Sequence, residues 1–470
     1  MKPTAPRWLG RAALGGLVGL VAALCGPPAQ GAEPSVQAAP PPRAAASSAT
    51  VLRLGSPLTA GERRQLLSLS PVPPPPPDPS NRWADDPRAV ALGERLFFDA
   101  GLSGGSGLGG DSGLAGLAAR SCASCHDPTK GWSDGKPVAD DGIRFPRNVP
   151  TLWNSAHSRW FTWDGRADSA WAQALGPLEN PREMAGDRVS IVRHLAADPG
   201  LRGAYEELFG SLPPLDARGS DGRARFPHAA RPVADDPTDP LHRAWAAMSP
   251  DDRQLVDDAF VRVGKALAAY QRTLVTPEAP FDRWVEALRE VESGGEPPTE
   301  PVLSASAVRG ARLFVGRGQC TLCHSGPTFS DGEFHDVGIA LGAGGRIDPG
   351  RYGGIVALLQ SPFSRVGRFS DAPESLAPVR FLQLRTEQMG QFKTPTLRQL
   401  ADTAPYMHDG RFATLTEVVT FYSTREGAAV LGHPTTLLQP LDLDGGEIAD
   451  LVAFLESLSA KVQPATRSTL

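Results

Sequence analysis

Cys122-Ala123-Ser124-Cys125-His126 and Cys320-Thr321-Leu322-Cys323-His324 are two copies of one pentapeptide, Cys-x-x-Cys-His. Two thiols spaced in this way reach one edge of a porphyrin and form thioethers to its vinyl groups, while the adjacent imidazole falls beneath the iron. This is the attachment signature of a c-type haem. The two copies use four of the five cysteines in the 470 residues. Neither has the second Cys-x-x-Cys or downstream His pair of a structural zinc site, and neither lies in a βαβ pattern that would suit a thioredoxin-like redox pair. Two covalent haems are expected, on His126 and His324.

Covalent haem of this kind is assembled outside the cytoplasmic membrane, and the N-terminus agrees. Lys2, Arg7 and Arg11 flank an apolar stretch from Ala12 to Cys25, followed by the small residues Ala29-Gln30-Gly31. Residues 1–31 read as a secretory signal, too short for a comfortable membrane span, with an uncleaved anchor as the alternative. Leu24 is too large for a lipoprotein site at Cys25. Removing the three leader cations from 47 Lys and Arg leaves 44 against 52 Asp and Glu, a net charge of about −8 with no basic run. Nucleic acid and anionic lipid are therefore not expected partners, and no membrane contact is expected beyond the signal.

Residues 32–80 are rich in Pro, Ala and Ser and end in Pro71-Val72-Pro73-Pro74-Pro75-Pro76-Pro77, a composition expected to form a tether that buries nothing. Asp86-Pro87 is a cap followed by a first-turn proline, ahead of Val90, Leu92, Leu96 and Phe97. Gly101 to Gly116 is a glycine-rich loop that neither follows a strand nor carries a phosphate-binding lysine. The strongest helical period runs from Ser249-Pro250 to Leu274, where Leu255, Ala259, Val263, Leu267, Tyr270 and Leu274 form a core stripe. Residues 211–240 read as an irregular insertion and 293–301 as a linker. Ala307 to Phe314 predicts a helix leading into the second motif. Thr414 with Glu417 forms a capping-box pattern before Val418, Val419 and Tyr422, and Asp444 with Glu447 precedes Ile448, Leu451, Leu455 and Leu458. No long alternating run appears, so the fold class is mainly α, with an N-terminal haem domain over 81–295 and a C-terminal one over 302–460.

Several strings resemble the bacterial di-haem cytochrome c peroxidases and their relative MauG, over a match from Asn81 to Ser459. They are Arg147-Asn148-Val149-Pro150-Thr151, Trp163-Asp164-Gly165-Arg166 through Gln173-Ala174-Leu175-Gly176-Pro177 to Asn180-Pro181-Arg182-Glu183-Met184, Phe392-Lys393-Thr394-Pro395-Thr396-Leu397-Arg398, and Thr403-Ala404-Pro405-Tyr406-Met407-His408-Asp409-Gly410. The resemblance implies two α-helical cytochrome-c-like domains, a peroxide-reacting haem in the first and an electron-transfer haem in the second. Glu183 matches the distal acid that moves a proton during cleavage of the oxygen bond. Gln173 matches a distal hydrogen-bonding residue, and Pro177 borders the same pocket. Trp163 matches the aromatic lying between the haems. Asn148, Thr403 and Pro405 match positions that hold a calcium ion through hard oxygen atoms. His408 matches a histidine beside the second haem.

Two departures from the peroxidase pattern stand out. A loop histidine that caps the first haem in many of these enzymes has no counterpart in residues 137–145, which leaves that iron open; His157 is the nearest substitute. Fourteen residues after His408, where peroxidases place methionine, stands Tyr422, as in MauG. Tyr422 is the expected ligand of the iron on His324, with Met407 the alternative. The expectation is a periplasmic enzyme that reduces hydrogen peroxide with electrons from a small cytochrome or copper protein. Two alternatives are a MauG-like oxidase acting on tyrosine or tryptophan of a partner protein, and a non-catalytic electron-transfer cytochrome.

Overall fold

Each haem motif is preceded by a helix with a glycine where it crosses another helix. In a computed structural model, which describes residues 57–104, 119–136, 147–339, 345–375, 377–429, 431 and 438–461, the Pro87–Phe97 helix is capped by Asp86, whose side chain accepts from Arg88 N. It crosses the Pro250–Arg272 helix at Gly93, where a Cβ would stand 2.0 Å from Ala266 O. The Ala305–Val315 helix crosses the Gly445–Glu456 helix in the same way, a Cβ on Gly310 meeting Asp450 O at 1.9 Å. Only glycine lets the backbones approach so closely. Gly93-Glu-Arg-Leu-Phe before the first motif and Gly310-Ala-Arg-Leu-Phe before the second are the sequence trace of this repeat.

Twelve α-helices and one short antiparallel ladder, Phe334–His335 against Phe392–Lys393, make up the regular structure of the described residues, as the mainly α expectation requires. One core gathers around the Pro250–Arg272 helix, with Trp171, Tyr205, Phe226 and Phe260 buried. The irregular run 211–240 is part of it, because Arg193 donates to the carbonyls of Leu215, Phe226 and Pro227 and so satisfies a chain without secondary structure. A second core gathers Phe281, Trp284, Phe314, Phe329 and Phe454. The capping box foreseen at Thr414 forms, and Asp444 with Glu447 makes a second ahead of the terminal helix.

Three expectations are corrected. The tether does bury side chains: Ala60–Ser68 is a helix with a Thr59–Glu62 capping box, and Leu66 and Leu69 lie in the second core. Its proline content masked a cap signal legible at Thr59. The Pro280–Glu292 helix, assigned to the first domain, packs in that second core through Phe281, Trp284, Val285 and Leu288. Phe363 and Phe369 conversely reach back to the first core, pinned by Lys265 Nζ on Asp371 at 2.7 Å. Leu255 is 41% exposed and Val256 is buried in its place, since near its N-terminus the helix turns position 255 to solvent. The leader, the glycine-rich segment beyond 104 and the loop lacking the capping histidine lie outside the described residues.

Candidate functional site

Both pentapeptides form a single tight turn, at Cys122–Ser124 and Cys320–Leu322, in which the histidine N–H donates back to the first cysteine carbonyl, at 2.9 Å for His126 and 2.8 Å for His324. His126 Nδ1 lies 2.9 Å from Trp132 O, and His324 Nδ1 lies 2.8 Å from Phe329 O. A carbonyl only accepts, so Nδ1 carries the proton in each ring and Nε2 keeps its lone pair for a metal. Burial pushes both imidazoles below their ordinary value, towards the neutral ligand form. Burial also pushes the Cys122 and Cys320 thiols up to about 12, and no disulfide joins these cysteines. Cys323, Asp331 and His335 come within metal-binding distance of one another, but Cys323 belongs to the attachment motif.

One cavity of about 1410 Å³ is lined by both motifs. It exceeds the roughly 300–1,000 Å³ of a pocket for one small ligand. Half-buried histidines whose Nδ1 atoms face carbonyls, paired thiols at its wall and this volume fit two covalently held haems.

The two halves of the cavity wall repeat each other. Phe161 pairs with Ala167 across a turn containing Trp163-Asp164-Gly165-Arg166, and Tyr406 pairs with Phe412 across one containing His408-Asp409-Gly410-Arg411. Gly165 and Gly410 both have φ 66°, the residues before Trp163 and His408 (Thr162, φ 68°, and Met407, φ 72°) are left-handed too, and each arginine pairs with its aspartate, at 2.8 and 2.7 Å. A capped helix follows each turn: Ala170–Glu179 behind Ser169 and Leu415–Thr424 behind Thr414. Trp163 thus corresponds to His408. Pro177, eighth in its helix, corresponds to Tyr422, eighth in the other. The sequence carried this repeat as Asp-Gly-Arg followed by a hydroxyl cap, a signal that reading motif by motif missed.

Glu183, Gln173 and Pro177 all line the cavity, and the Glu183 carboxylate lies near enough to Cys125 to act on it. Glu183 lies in a turn beyond the Ala170–Glu179 helix, not in a helical first turn. Asn180 Nδ2 donates to Glu183 Oε1 at 2.8 Å, and Arg120 Nη1 donates to the Glu183 carbonyl at 3.2 Å. Burial pushes its carboxyl above the ordinary value, partly offset by the Asn180 hydrogen bond. Pro177 has no N–H to close the helical bond to the Gln173 carbonyl. Tyr422, Met407 and His324 also line this cavity, and Tyr422 lies near enough to Cys320 and Cys323 for charge on them to act on it. Burial pushes the Tyr422 phenol up, and the Arg425 guanidinium, 5.9 Å from its ring centroid, opposes this. Arg425 Nη1 is buried with no acceptor.

Trp163 Nε1 donates to Asn148 O at 2.8 Å, and its ring meets His408 edge-on at 6.4 Å. His408 stacks on Phe392 at 3.5 Å, and burial pushes its imidazole down to about 4. Asn148 N donates to His408 O and its Nδ2 to Pro405 O, at 2.7 and 2.5 Å, while Asn148 Oδ1 is buried without a partner. Thr403 and Pro405 occupy the same segment and also line the cavity. This unpartnered amide oxygen beside peptide carbonyls is a donor set suited to a hard cation such as calcium. Arg147 braces the region, pairing with Asp164 at 2.7 Å and with Asp348 at 2.7 Å, a link between remote segments that local sequence does not announce.

A family model described as di-haem cytochrome c peroxidase matches residues 87–290. Methylamine utilization protein MauG of Methylorubrum extorquens is 33% identical over 80% of this chain and 79% of its own. Cytochrome-c peroxidase IdrP2 of Denitromonas iodatirespirans is 31% identical over 79% of this chain and 82% of its own. The crystal structure of the diheme peroxidase BthA from Burkholderia thailandensis shares the fold, with a TM-score of 0.53 over 80% of this chain and 87% of that one at 22% identity. No helix among the described residues is long and apolar enough to cross a membrane. The paired motifs, the shared cavity and these relatives place the chain in the di-haem cytochrome c peroxidase and MauG family of oxidoreductases, which implies two c-type haems.

Proposed function

We propose that this chain is a periplasmic di-haem oxidoreductase that reduces hydrogen peroxide at the haem on His126 and draws electrons through the haem on His324. The haems, when bound, supply the redox-active iron. The chain supplies an asymmetry: at equivalent helix positions on the cavity wall Tyr422 carries a phenol oxygen that would close the iron on His324, whereas Pro177 carries no donor atom. That asymmetry carries the proposal, since a pure electron carrier would close both irons. Met407 is the weaker candidate for the closed side, because its left-handed turn is repeated at Thr162, where it serves the backbone. Glu183, set in place by Asn180, takes a proton from peroxide and returns it to the departing oxygen, so that water leaves. Gln173 faces the same space and orients the bound oxygen atoms. Trp163 bridges the two sides, its indole N–H held by Asn148 O. Asn148, Thr403 and Pro405 would hold a calcium ion through oxygen atoms.

The electron source is a small cytochrome or copper protein, or tyrosine and tryptophan side chains of a protein substrate. Tyr422 favours the second reading, because an anionic oxygen ligand stabilises ferric iron and makes a poor acceptor from ordinary cytochromes. The test is turnover of the holo-protein with peroxide, once with reduced cytochrome c and once with candidate secreted partner proteins. Oxidation of the cytochrome or a mass change in a partner supports peroxide reduction; peroxide left unconsumed in both overturns it.

A further inference from the structure

Three tryptophans line the cavity: Trp153, Trp160 and Trp163. Their surroundings differ in ways that decide which can give up an electron. Trp153 Nε1 is buried with no acceptor, so a proton made acidic by oxidation has nowhere to go. Trp160 is 5% exposed and lies under a cation: the Arg351 guanidinium carbon is 4.3 Å from its ring centroid and 4.0 Å from that of Phe334. Arg351 is itself 3% exposed. Among the described residues no carboxylate pairs with it; its Nη1 donates to the carbonyls of Asp164 and Gly165, at 3.2 and 2.8 Å. Two ring faces and two peptide oxygens therefore surround the guanidinium, and the Asp164 and Glu333 carboxylates act on it from beyond pairing distance. Among the described residues Trp163 has an acceptor on its indole N–H, Asn148 O at 2.8 Å, and no guanidinium stacked on its ring.

We propose that Arg351 keeps Trp160 from being oxidised, so that an oxidising equivalent crossing the cavity settles on Trp163. The proposal rests on the peroxide-reducing reading for its oxidant. Hydrogen peroxide takes up two electrons and two protons to give two waters. When Trp163 supplies one electron, its ring carries the positive charge and the Nε1 proton stays in the hydrogen bond to Asn148 O. The second electron comes from the external donor through the second haem, and a further donor electron restores the indole. The same loss at Trp160 would set a radical cation against a guanidinium at van der Waals distance, where little solvent screens the repulsion. Trp160 packs with Leu358, Ala377 and Val379 in a small separate cluster, so a hole there would leave the route between the haems. Arg351 is a positioning residue that acts through its charge on Trp160.

The test uses the holo-protein and its Arg351→Met and Arg351→Lys variants, each oxidised separately by hydrogen peroxide and by flash photo-oxidation with a ruthenium polypyridyl and persulfate. Peptide mass spectrometry reads oxidised tryptophan at positions 160 and 163. Wild type and Arg351→Lys should be oxidised chiefly at Trp163, and Arg351→Met should raise the ratio of Trp160 to Trp163 oxidation by about tenfold or more. Should methionine not be accommodated, Arg351→Gln carries the same prediction. An unchanged ratio in a folded, charge-free variant overturns the proposal. A raised ratio under photo-oxidation, with no tryptophan oxidised by peroxide, upholds the role of Arg351 and counts against the peroxide reading instead.

Discussion

Pro177 and Tyr422 occupy the same place in two equivalently built helices, each eight residues into a helix that follows a Ser or Thr cap and an Asp-Gly-Arg turn. One can donate an oxygen to a metal and the other has no side-chain donor. Replacing Tyr422 with Phe should therefore convert the spectrum of the haem on His324 while leaving that on His126 unchanged. An absorption spectrum identical to wild type would assign the ligand elsewhere, with Met407→Leu as the next variant.

Glu183 should set the acid limb of the pH profile. Burial raises its carboxyl above the ordinary 4.5, and the carboxylate is the form that accepts a proton from peroxide. Activity should accordingly fall as pH drops through a value higher than that of a free glutamate. Glu183→Gln should lower the rate with peroxide by about 10²–10⁴-fold and abolish that limb. A profile unchanged in shape would remove Glu183 from proton transfer.

The proline-rich N-terminal run contributes to stability. Leu66 and Leu69 are 0% and 1% exposed, and Arg398, 1% exposed at its side chain, donates to Leu69 O and pairs with Asp282 at 2.6 Å, while Ser70 Oγ donates to Asp282. Deleting residues up to 70 should lower stability by several kcal/mol, since each buried leucine is worth about 1.5–3 kcal/mol. Asp282→Ala should cost about 3–5 kcal/mol by leaving the Arg398 charge buried alone. Thermal unfolding of the holo-protein measures both.

Helix crossing at Gly310 predicts that Gly310→Ala destabilises even though alanine is the better helix former, because its Cβ would collide with Asp450 O. The cost should be about 1–3 kcal/mol or more. A raised melting temperature would mean that the crossing yields easily.

Much of this was legible before any coordinates. The cysteine spacing pointed to the haem anchors, and hydroxyl or acidic caps followed by helical periods gave four of the helices, because those signals act within a few residues. What stayed hidden depends on partners far along the chain. Nothing local to Arg147 announces Asp348, and nothing local to Arg351 announces that it lies between Trp160 and Phe334. The Thr59 capping box was obscured by composition, since prolines from 71 onwards gave the whole segment the look of a tether. Glu183 was named by resemblance, but its hold by Asn180, three residues away in the same turn, needed the backbone path.

Electron paramagnetic resonance of the resting ferric holo-protein distinguishes an open iron site from a closed one. One high-spin signal, from the haem on His126, is expected together with one low-spin signal that changes in Tyr422→Phe. Two low-spin, six-coordinate signals, both unaltered when peroxide is added, would contradict that expectation.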